Sequence, residues 1–309
     1  MTPSCDIVIS AIIVSYNTRE MTLECLRTLA VSLDGIDSEI IVVDNASSDG
    51  SVEAIRAAFP HIRLVASESN SGFGAANNEA MRLARGRFFL LLNSDAFPEK
   101  PAIPALLTFL QENPRAGVVG PRLLNADGSL QVSCYPFPTP VSAWLENLWL
   151  HRGYHGWLHD SVRQVDFLIG ACLLVRREVY EQVGGFDERF FMYSEEADWL
   201  RRMKDAGWEA IFVPGACVTH LGGASGAKEE VRISRHFFES LDYYERKHHG
   251  LAGLIAFRLA MIVGCGMRMF IWAAVSLFPA RRAHALAKAR KHSRLCLRQA
   301  FHWKFSQLA

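Results

Sequence analysis

Arg87-Phe88-Phe89-Leu90-Leu91-Leu92-Asn93-Ser94-Asp95 is the stretch whose reading decides the fold. Five apolar residues run unbroken from Phe88 and stop at Asn93-Ser94-Asp95. A continuous apolar run of this length after a glycine, Gly86, predicts a central strand buried on both faces. In an open parallel sheet, ligands bind outside the carboxyl ends of the strands. Asp95 therefore falls where a carboxylate can hold a hard divalent cation against phosphates. Taken alone, Asn93-Ser94-Asp95 reads equally as a polar turn. What flanks it carries the chemistry.

Upstream, Ile7 to Val14 reads as a first strand ending in Ser15-Tyr16-Asn17, with Thr18 placed to cap a helix. Leu23, Leu26, Leu29, Ala30 and Leu33 keep helical spacing behind it. Glu39 to Val43 is a second strand that stops at Asp44, and the polar run to Gly50 opens a helix reaching about Phe59. Ile62 to Ala66 is a third strand, and Asn70-Ser71-Gly72-Phe73-Gly74 leads into a helix over about 75–85. Four strand–helix alternations predict an α/β fold, Rossmann-like, with a mostly parallel central sheet and helices on both faces. The dinucleotide fingerprint G-x-G-x-x-G does not follow the first strand, and no G-x-x-x-x-G-K-[ST] occurs. Nicotinamide dehydrogenases and P-loop NTPases are thereby disfavoured, and Asp44, Asn70, Asn93 and Asp95 are left to face a nucleotide.

Downstream, residues 101–112 form an amphipathic helix, 117–121 a short strand, and Asn125-Ala126-Asp127-Gly128-Ser129 a hairpin turn. From Tyr135 to about Gln164, prolines and aromatics (Trp144, Trp149, Tyr154, Trp157) replace any period, so an insertion or lid is expected. Strand character returns over 166–176, with Gly170-Ala171-Cys172 leaving room for a ligand near the backbone. Ser194 is placed to cap a helix that carries Glu195, Glu196 and Asp198 in its first turn and ends at Gly207. Acidic first turns are also common for dipole reasons alone. Ile211 to Pro214 is a further strand, and His220 falls in a Gly-rich turn after it.

The motifs, in their order, make the chain similar to inverting glycosyltransferases of family 2, which have the GT-A fold. They are Val14-Ser15-Tyr16-Asn17, Val42 to Ser51, Asn70 to Asn78 and Leu92-Asn93-Ser94-Asp95. Gly170-Ala171, Gly185-Phe186-Asp187, Phe191-Met192-Tyr193, Glu195-Glu196-Ala197-Asp198 and His220 follow. The resemblance covers about residues 6–225, and among subfamilies bacterial rhamnosyltransferases of cell-surface polysaccharide are the most similar. It implies a nucleotide-sugar donor, best taken as dTDP-rhamnose with a UDP-sugar as the alternative, and a saccharide or lipid-linked acceptor. It implies that Ser15, Tyr16, Asn17 and Asp44 line the nucleoside pocket. Asn70, Gly72, Phe73, Gly74 and Asn77 would meet the nucleotide, with Gly170 and Ala171 nearby. Asp95 and His220 would ligate Mg²⁺ or Mn²⁺. The base would be Glu196, with Glu195 as runner-up and Asp198 organising the neighbourhood. Two departures stand out: Asn93 replaces the family's first motif aspartate, and Glu replaces the usual Asp at 196. Two rivals are an inactive nucleotide-sugar-binding protein and a nucleotidyltransferase, the latter lacking its N-terminal glycine-rich loop here.

Charge divides the chain. After Glu245 there is no acidic residue but twelve Lys and Arg, which leaves 21 of the 33 basic residues against all 32 acidic ones before it. Residues 1–225 are expected to be the catalytic domain, in halves 1–100 and 101–225, and 226–309 a basic helical extension. Leu251 to Phe278 is apolar but interrupted by Arg258 and Arg268, so an interfacial helix or hairpin on an anionic membrane is expected, against a helix packed on the catalytic domain with a solvated basic tail. No nucleic-acid-binding signature is present. Seven scattered cysteines without a C-x-x-C pair, and no basic signal region at the start, lead to an expected cytoplasmic location at the inner face of the plasma membrane.

Overall fold

Strand and helix alternate from the start: β1 (Ile9–Ser15), α1 (Arg19–Ser32), β2 (Ser38–Asp44), α2 (Ser51–Ala58), β3 (Arg63–Ala66), α3 (Phe73–Leu83) and β4 (Phe88–Asn93). Then come β5 (Ala96–Pro98), α4 (Ala102–Glu112), β6 (Ala116–Leu124), β7 (Leu130–Gln131), β8 (Cys134–Tyr135), α5 (Pro140–Asn147) and β9 (Arg163–Val165). The chain continues through β10 (Phe167–Leu168), β11 (Cys172–Arg176), α6 (Arg177–Val183), α7 (Glu195–Asp205), β12 (Glu209–His220), α8 (Glu230–Val275) and α9 (Arg282–Phe301). This computed structural model describes residues 7–150, 159–222, 230–278 and 281–301. The expected boundary at 225/226 and the aromatics Tyr154 and Trp157 lie outside them. The described residues form two compact units, one of residues 7–137, 159–222 and 230–237, the other of 138–150, 238–278 and 281–301.

The first unit is built on the strand expected from Phe88 to Leu92. β3, β2, β1 and β4 run parallel in that order, with Ser15 level with Asp44 and Val14 level with Asn93. Alternate residues of this sheet feed opposite faces. Ile9, Ile13, Leu90 and Leu92 pack with Leu26 and Leu29 of α1 and Ile103 and Leu106 of α4. Ile12, Ile41, Phe89 and Leu91 pack with Ala76, Ala80 and Met81 of α3 and Trp199 and Met203 of α7. Each such aliphatic side chain contributes about 1.5–3 kcal/mol by leaving water. Beyond β4 the sheet turns mixed, in the order β4-β11-β6-β12-β5: β11 is antiparallel to β4 and β6, and β12 parallel to β6.

Several expectations about elements are corrected. Residues 166–176 are not one strand: β10 pairs with β8 in a separate two-stranded sheet, and only β11 joins the main one. The stretch expected to be an irregular lid contains β8, α5 and β9, and Pro140 begins α5 at its first turn, where a missing N–H costs nothing. His220 is not in a turn. β12 continues past Pro214 through a register shift between Val213 and Cys217 and ends on His220 itself, opposite Ala96 of β5. The bulge lets the strand absorb Pro214 and Gly215 without ending.

In the second unit Thr139 and Ser142 form a reciprocal capping box on α5. Ala143, Phe257 and Ala260 are buried with Trp144, Leu241 and Met261 around them. α8 breaks at Gly250 (φ 68). The two arginines that interrupt the apolar sequence are both engaged within this unit. Arg258, 7% exposed, pairs with Asp242 through Nε at 3.2 Å and a terminal nitrogen at 2.7 Å. Arg268 donates to Asn147 Oδ1 at 2.9 Å and lies 4.8 Å over the Trp149 ring. Glu245 is fully buried, and burial, then the neighbouring Asp242, push its carboxyl up to about 7. α9 returns along α8: Cys296 Sγ reaches Ile262 O at 3.7 Å, and the rings of His284 and Trp272 lie 5.7 Å apart. Among the described residues one helical stretch, His236–Val275, is long and apolar enough to cross a membrane by length and composition.

Candidate active site

The loops after β1, β2 and β4 leave the sheet at its carboxyl edge, and β11, running the other way, brings Gly170-Ala171 to the same edge. Asn93 N–H donates to Ala171 O at 2.9 Å, which fixes that juxtaposition. Asp44 is 1% exposed; its Oδ1 accepts from Ser47 N–H at 2.9 Å, while its Oδ2 is buried without a partner. A buried carboxylate oxygen left so is costly unless something polar completes it. A nucleoside hydroxyl or base N–H has the required chemistry.

Two flanking loops are held by side chains expected to touch the nucleotide. Asn17 (φ 53) accepts at Oδ1 from Ser48 N–H at 2.8 Å, and its own N–H donates to Ser47 Oγ at 2.8 Å. Asn70 Oδ1 accepts from Gly72 N–H at 3.0 Å and from Asn45 Nδ2 at 2.9 Å. Asn45, which sequence reasoning passed over, is the hub here: its Nδ2 also donates to Gly72 O at 3.2 Å and its Oδ1 accepts from Ser71 N–H at 3.0 Å.

Ser15 and Asn77 do not line an open pocket. Ser15 is fully buried, its Oγ 3.0 Å from Thr22 Oγ1 and 3.3 Å from Thr18 Oγ1. Thr18 makes no side-chain cap; its hydroxyl lies 3.0 Å from Ser94 Oγ, so this hydroxyl chain ties the start of α1 to the turn before Asp95. Asn77, 1% exposed, donates Nδ2 back to Phe73 O at 2.9 Å within its own helix. Its neighbour Asn78 does the long-range bracing, donating to Phe186 O and Glu188 Oε1, both at 2.9 Å, and accepting from Phe186 N–H at 2.8 Å. Tyr16 is partly buried beside these loops.

The small residues Gly72 and Gly74 make room for protein rather than leaving backbone bare. A Cβ on Gly72 (φ 90) would sit 2.3 Å from Phe191 O, and one on Gly74 would sit 3.0 Å from Phe186 Cβ. Phe73 N–H donates to that same Phe191 oxygen at 3.0 Å. Gly72→Ala therefore faces both a left-handed backbone and a collision with backbone, and is expected to cost on the order of 2–4 kcal/mol. A urea unfolding curve checks it: a midpoint within experimental scatter of wild type would show that the 191 loop yields freely.

Asp95 and His220 meet. Asp95 is 6% exposed, and its Oδ1 lies 3.3 Å from His220 Nε2. The opposite ring nitrogen, Nδ1, is 2.7 Å from Gln131 Oε1. Gln131 Nε2 donates to His220 O at 3.2 Å and Asn125 Oδ1 at 3.0 Å, so its oxygen is the end presented to the ring. With the ring neutral, the proton sits on Nδ1 and the Nε2 lone pair faces the carboxylate, the arrangement by which a second partner orients a metal-ligating histidine. Asn93 Nδ2 lies 3.4 Å from Nε2, and Asn93 Oδ1 is buried without a partner. Among the described residues no cluster of three or more His, Cys, Asp and Glu could hold a metal alone. Two protein donors nevertheless fit a Mg²⁺- or Mn²⁺-type ion that takes its other ligands from phosphate oxygens and water.

The acidic helix stands beside this edge. A Cβ on Gly170 would sit 3.8 Å from Glu196 Cβ and 3.6 Å from the Phe73 ring. Glu195 is 4% exposed, and Glu195 Oε2 and Glu196 Oε2 are both buried without partners. Burial, then the adjacent Glu196, push the Glu195 carboxyl well above its ordinary range. Burial raises Glu196 too, but its own N–H and that of Gly170 support its charged form. The Gly170 N–H, which supports the charged form of Glu196 and not of Glu195, makes Glu196 the better placed of the two to act as a base. Ser194 (φ 65) provides no side-chain cap, and with Tyr193 (φ 73) it forms two successive left-handed non-glycine residues. Strain of this kind concentrates at functional sites. Asp198 is not presented to a ligand: fully buried, it accepts from Arg202 Nε at 2.9 Å, and Arg202 also grips Val183 O at 2.7 Å and Gly185 O at 2.6 Å.

Residues 10–184 match the profile described as glycosyl transferase family 2. The N-acetylglucosaminyl-diphospho-decaprenol L-rhamnosyltransferase of Mycobacterium tuberculosis is 30% identical over 291 residues, covering 84% of this chain and 94% of that protein. A low-salt glycan biosynthesis hexosyltransferase of Haloferax volcanii is 29% identical over 63% of this chain and 61% of its own length. Among solved structures, the mannosyltransferase of Pyrobaculum calidifontis in complex with GDP-Man and Mn²⁺ superposes with a TM-score of 0.61 at 18% identity, over 98% of this chain and 89% of that one. S. aureus TarS 1–349 does so with a TM-score of 0.52 at 16% identity, covering 96% and 93%. The GT-A architecture is thus shared well beyond detectable sequence identity.

Proposed function

Because this chain belongs to glycosyl transferase family 2, we propose that it is an inverting, metal-dependent transferase that moves rhamnose from dTDP-rhamnose to a lipid-linked saccharide in cell-surface polysaccharide synthesis. The single observation that carries the reading is the company of unmet polar atoms at one sheet edge: Asp44 Oδ2, Asn93 Oδ1, Glu195 Oε2 and Glu196 Oε2. Folding leaves such atoms bare at a cost, and a nucleotide sugar with an acceptor hydroxyl supplies partners for all of them.

In this mechanism Asp44 accepts from the nucleoside. Asp95 and His220 would hold Mg²⁺ or Mn²⁺, and that ion, when bound, supplies Lewis-acid stabilisation of the leaving nucleoside diphosphate. Glu196 takes the proton from the acceptor hydroxyl as it attacks the anomeric carbon. A single displacement needs one carboxylate base, and inversion follows from it. Glu195, whose carboxyl burial and the neighbouring Glu196 push up, does not compete as the base. Gly170-Ala171 carry backbone to the acceptor side. The choice of rhamnose rests on the mycobacterial relative's named activity; a UDP-sugar is the alternative donor. The enzyme would work in the cytoplasm at the inner face of the plasma membrane, touching anionic lipid peripherally.

The test is turnover with Mn²⁺, dTDP-rhamnose and an N-acetylglucosaminyl-diphospho-polyprenol. A rhamnosylated lipid of inverted anomeric configuration plus free dTDP is the expected result. Turnover with only another nucleotide sugar overturns the donor, and release of pyrophosphate overturns the reaction class.

A further inference from the structure

From Leu251 to Phe278 every exposed residue of the second unit is apolar. Leu251, Ile255, Leu259, Val263, Met267 and Ile271 recur at intervals of four, between 37% and 48% exposed. Phe270 is 70% exposed, and Leu277 and Phe278, just past the helix, are 82% and 67% exposed. A single exposed leucine means nothing, but a continuous stripe of this length marks an interaction surface. Its opposite face is spoken for: Leu254, Phe257, Ala260 and Cys265 are buried, and Arg258 and Arg268 are satisfied by Asp242 and Asn147. The charges that interrupt the apolar sequence therefore do not interrupt the apolar surface. Directly after the stripe the chain turns basic. Arg281, Arg282, Arg290, Lys291 and Arg294 are exposed, and the sequence after Glu245 contains no acidic residue.

We propose that the stripe from Leu251 to Phe278 is embedded in the plane of an anionic lipid bilayer, with the cations of α9 placed on its headgroups. This rests on the transferase reading only in that it specifies how such an enzyme would reach a lipid-linked acceptor. The charge pattern selects the occupant. A second copy of this chain docking stripe to stripe would bring together two basic helices that contain no acidic residue, whereas anionic headgroups complement them. One-sidedness selects the orientation: an interfacial helix buries one apolar face and keeps its other face in protein or water. The helix after Gly250 has that division, with its polar pairs on the protein side.

The experiment is flotation of the full chain with phosphatidylglycerol/phosphatidylcholine vesicles and with phosphatidylcholine alone, in parallel with sedimentation velocity without lipid. Wild type is expected to float with anionic vesicles and to weaken as salt rises. The variant Leu259→Ser/Met267→Ser/Phe270→Ser is expected to lose binding by about tenfold or more, all three positions being exposed so that folding is spared. Arg290→Glu/Lys291→Glu is expected to erase the preference for anionic over neutral vesicles. Three results overturn the proposal: unchanged flotation of the serine variant, a lipid-free dimer that the serine variant dissolves, or resistance of bound protein to alkaline carbonate, the mark of a spanning helix. Binding is read without turnover, so an inactive wild type that still floats would count against the transferase reading alone.

Discussion

Glu196→Gln is expected to lower transfer by about 10³-fold while leaving donor and Mn²⁺ affinity unchanged. General-base removal typically costs 10²–10⁴-fold, and the amide keeps the size of the side chain while being unable to take a proton. The loss should fall on kcat, since in the proposed mechanism Glu196 acts on the acceptor hydroxyl in the transition state. Glu195→Gln should cost far less, because burial and the neighbouring Glu196 push that carboxyl up, away from the ionised form that a base needs. The pH profile separates the two. Burial raises the Glu196 carboxyl, so the acid limb of kcat/KM should lie above an ordinary glutamate's 4.5, with rate growing as pH rises and the base ionises. Glu195→Gln replaces a carboxyl that stays uncharged on this assignment and should leave that limb where it is. The same raised values have a stability sign. Below the ordinary glutamate value both states are protonated and nothing is lost; above it the folded pair holds protons that the unfolded chain has released, so stability declines until the folded values are passed. Equal losses in the two glutamine variants, or an acid limb that Glu195→Gln moves, would remove the assignment of the base.

Much of this site was legible because its signals are local. The apolar run at Phe88–Leu92 and its polar stop needed no partner to be read, and Asp44 and Asp95 followed from the rule that ligands gather at strand carboxyl ends. The acidic opening of α7 was equally visible. What escaped was whatever depends on distant contacts. Asn45 matters through Asn70 and Gly72, Asn78 through Phe186 at a separation of 108 residues, and Gln131 through His220 at 89. No local pattern distinguishes these amides from surface ones. The overlooked α5 has a different cause: Pro140 looks like a breaker, yet at the first turn it is compatible with a helix. His220 was sought in a turn because Pro214-Gly215 looks like a strand end, and only the pairing of β12 with β6 reveals the bulge. Ser15 and Asn77 illustrate the opposite limit, while Asp198, expected to organise the neighbourhood, grips Arg202, which binds Val183 O and Gly185 O. Each stands beside the site in sequence, but its side chain is consumed by the scaffold.

Asp95→Ala is expected to abolish metal-dependent transfer, by about 10³-fold or more, since losing about 4 kcal/mol of transition-state stabilisation has that effect. The size of this loss depends on Asn93. With an amide at the first motif position, Asp95 is the one carboxylate at this turn, so no second acid is present to keep the ion when it is removed. His220 alone leaves a single neutral donor, and hard divalent cations prefer oxygen. Asp95→Ala should therefore show weakened Mn²⁺ binding in a titration carried out with dTDP present, not merely slower turnover. Gln131→Ala offers the graded comparison. It leaves both donors in place but frees His220 to rotate or to carry its proton on Nε2, and outer partners of this kind typically govern 10–100-fold in affinity or activity. A smaller loss for Gln131→Ala than for Asp95→Ala, both accompanied by a higher Mn²⁺ requirement, fits two ligands oriented by one amide. If Asp95→Ala turns over normally in chelator and in Mn²⁺ alike, the diphosphate must be met by protein cations instead, and Asp95 would then be only the polar turn that its three-residue motif, read alone, equally allows.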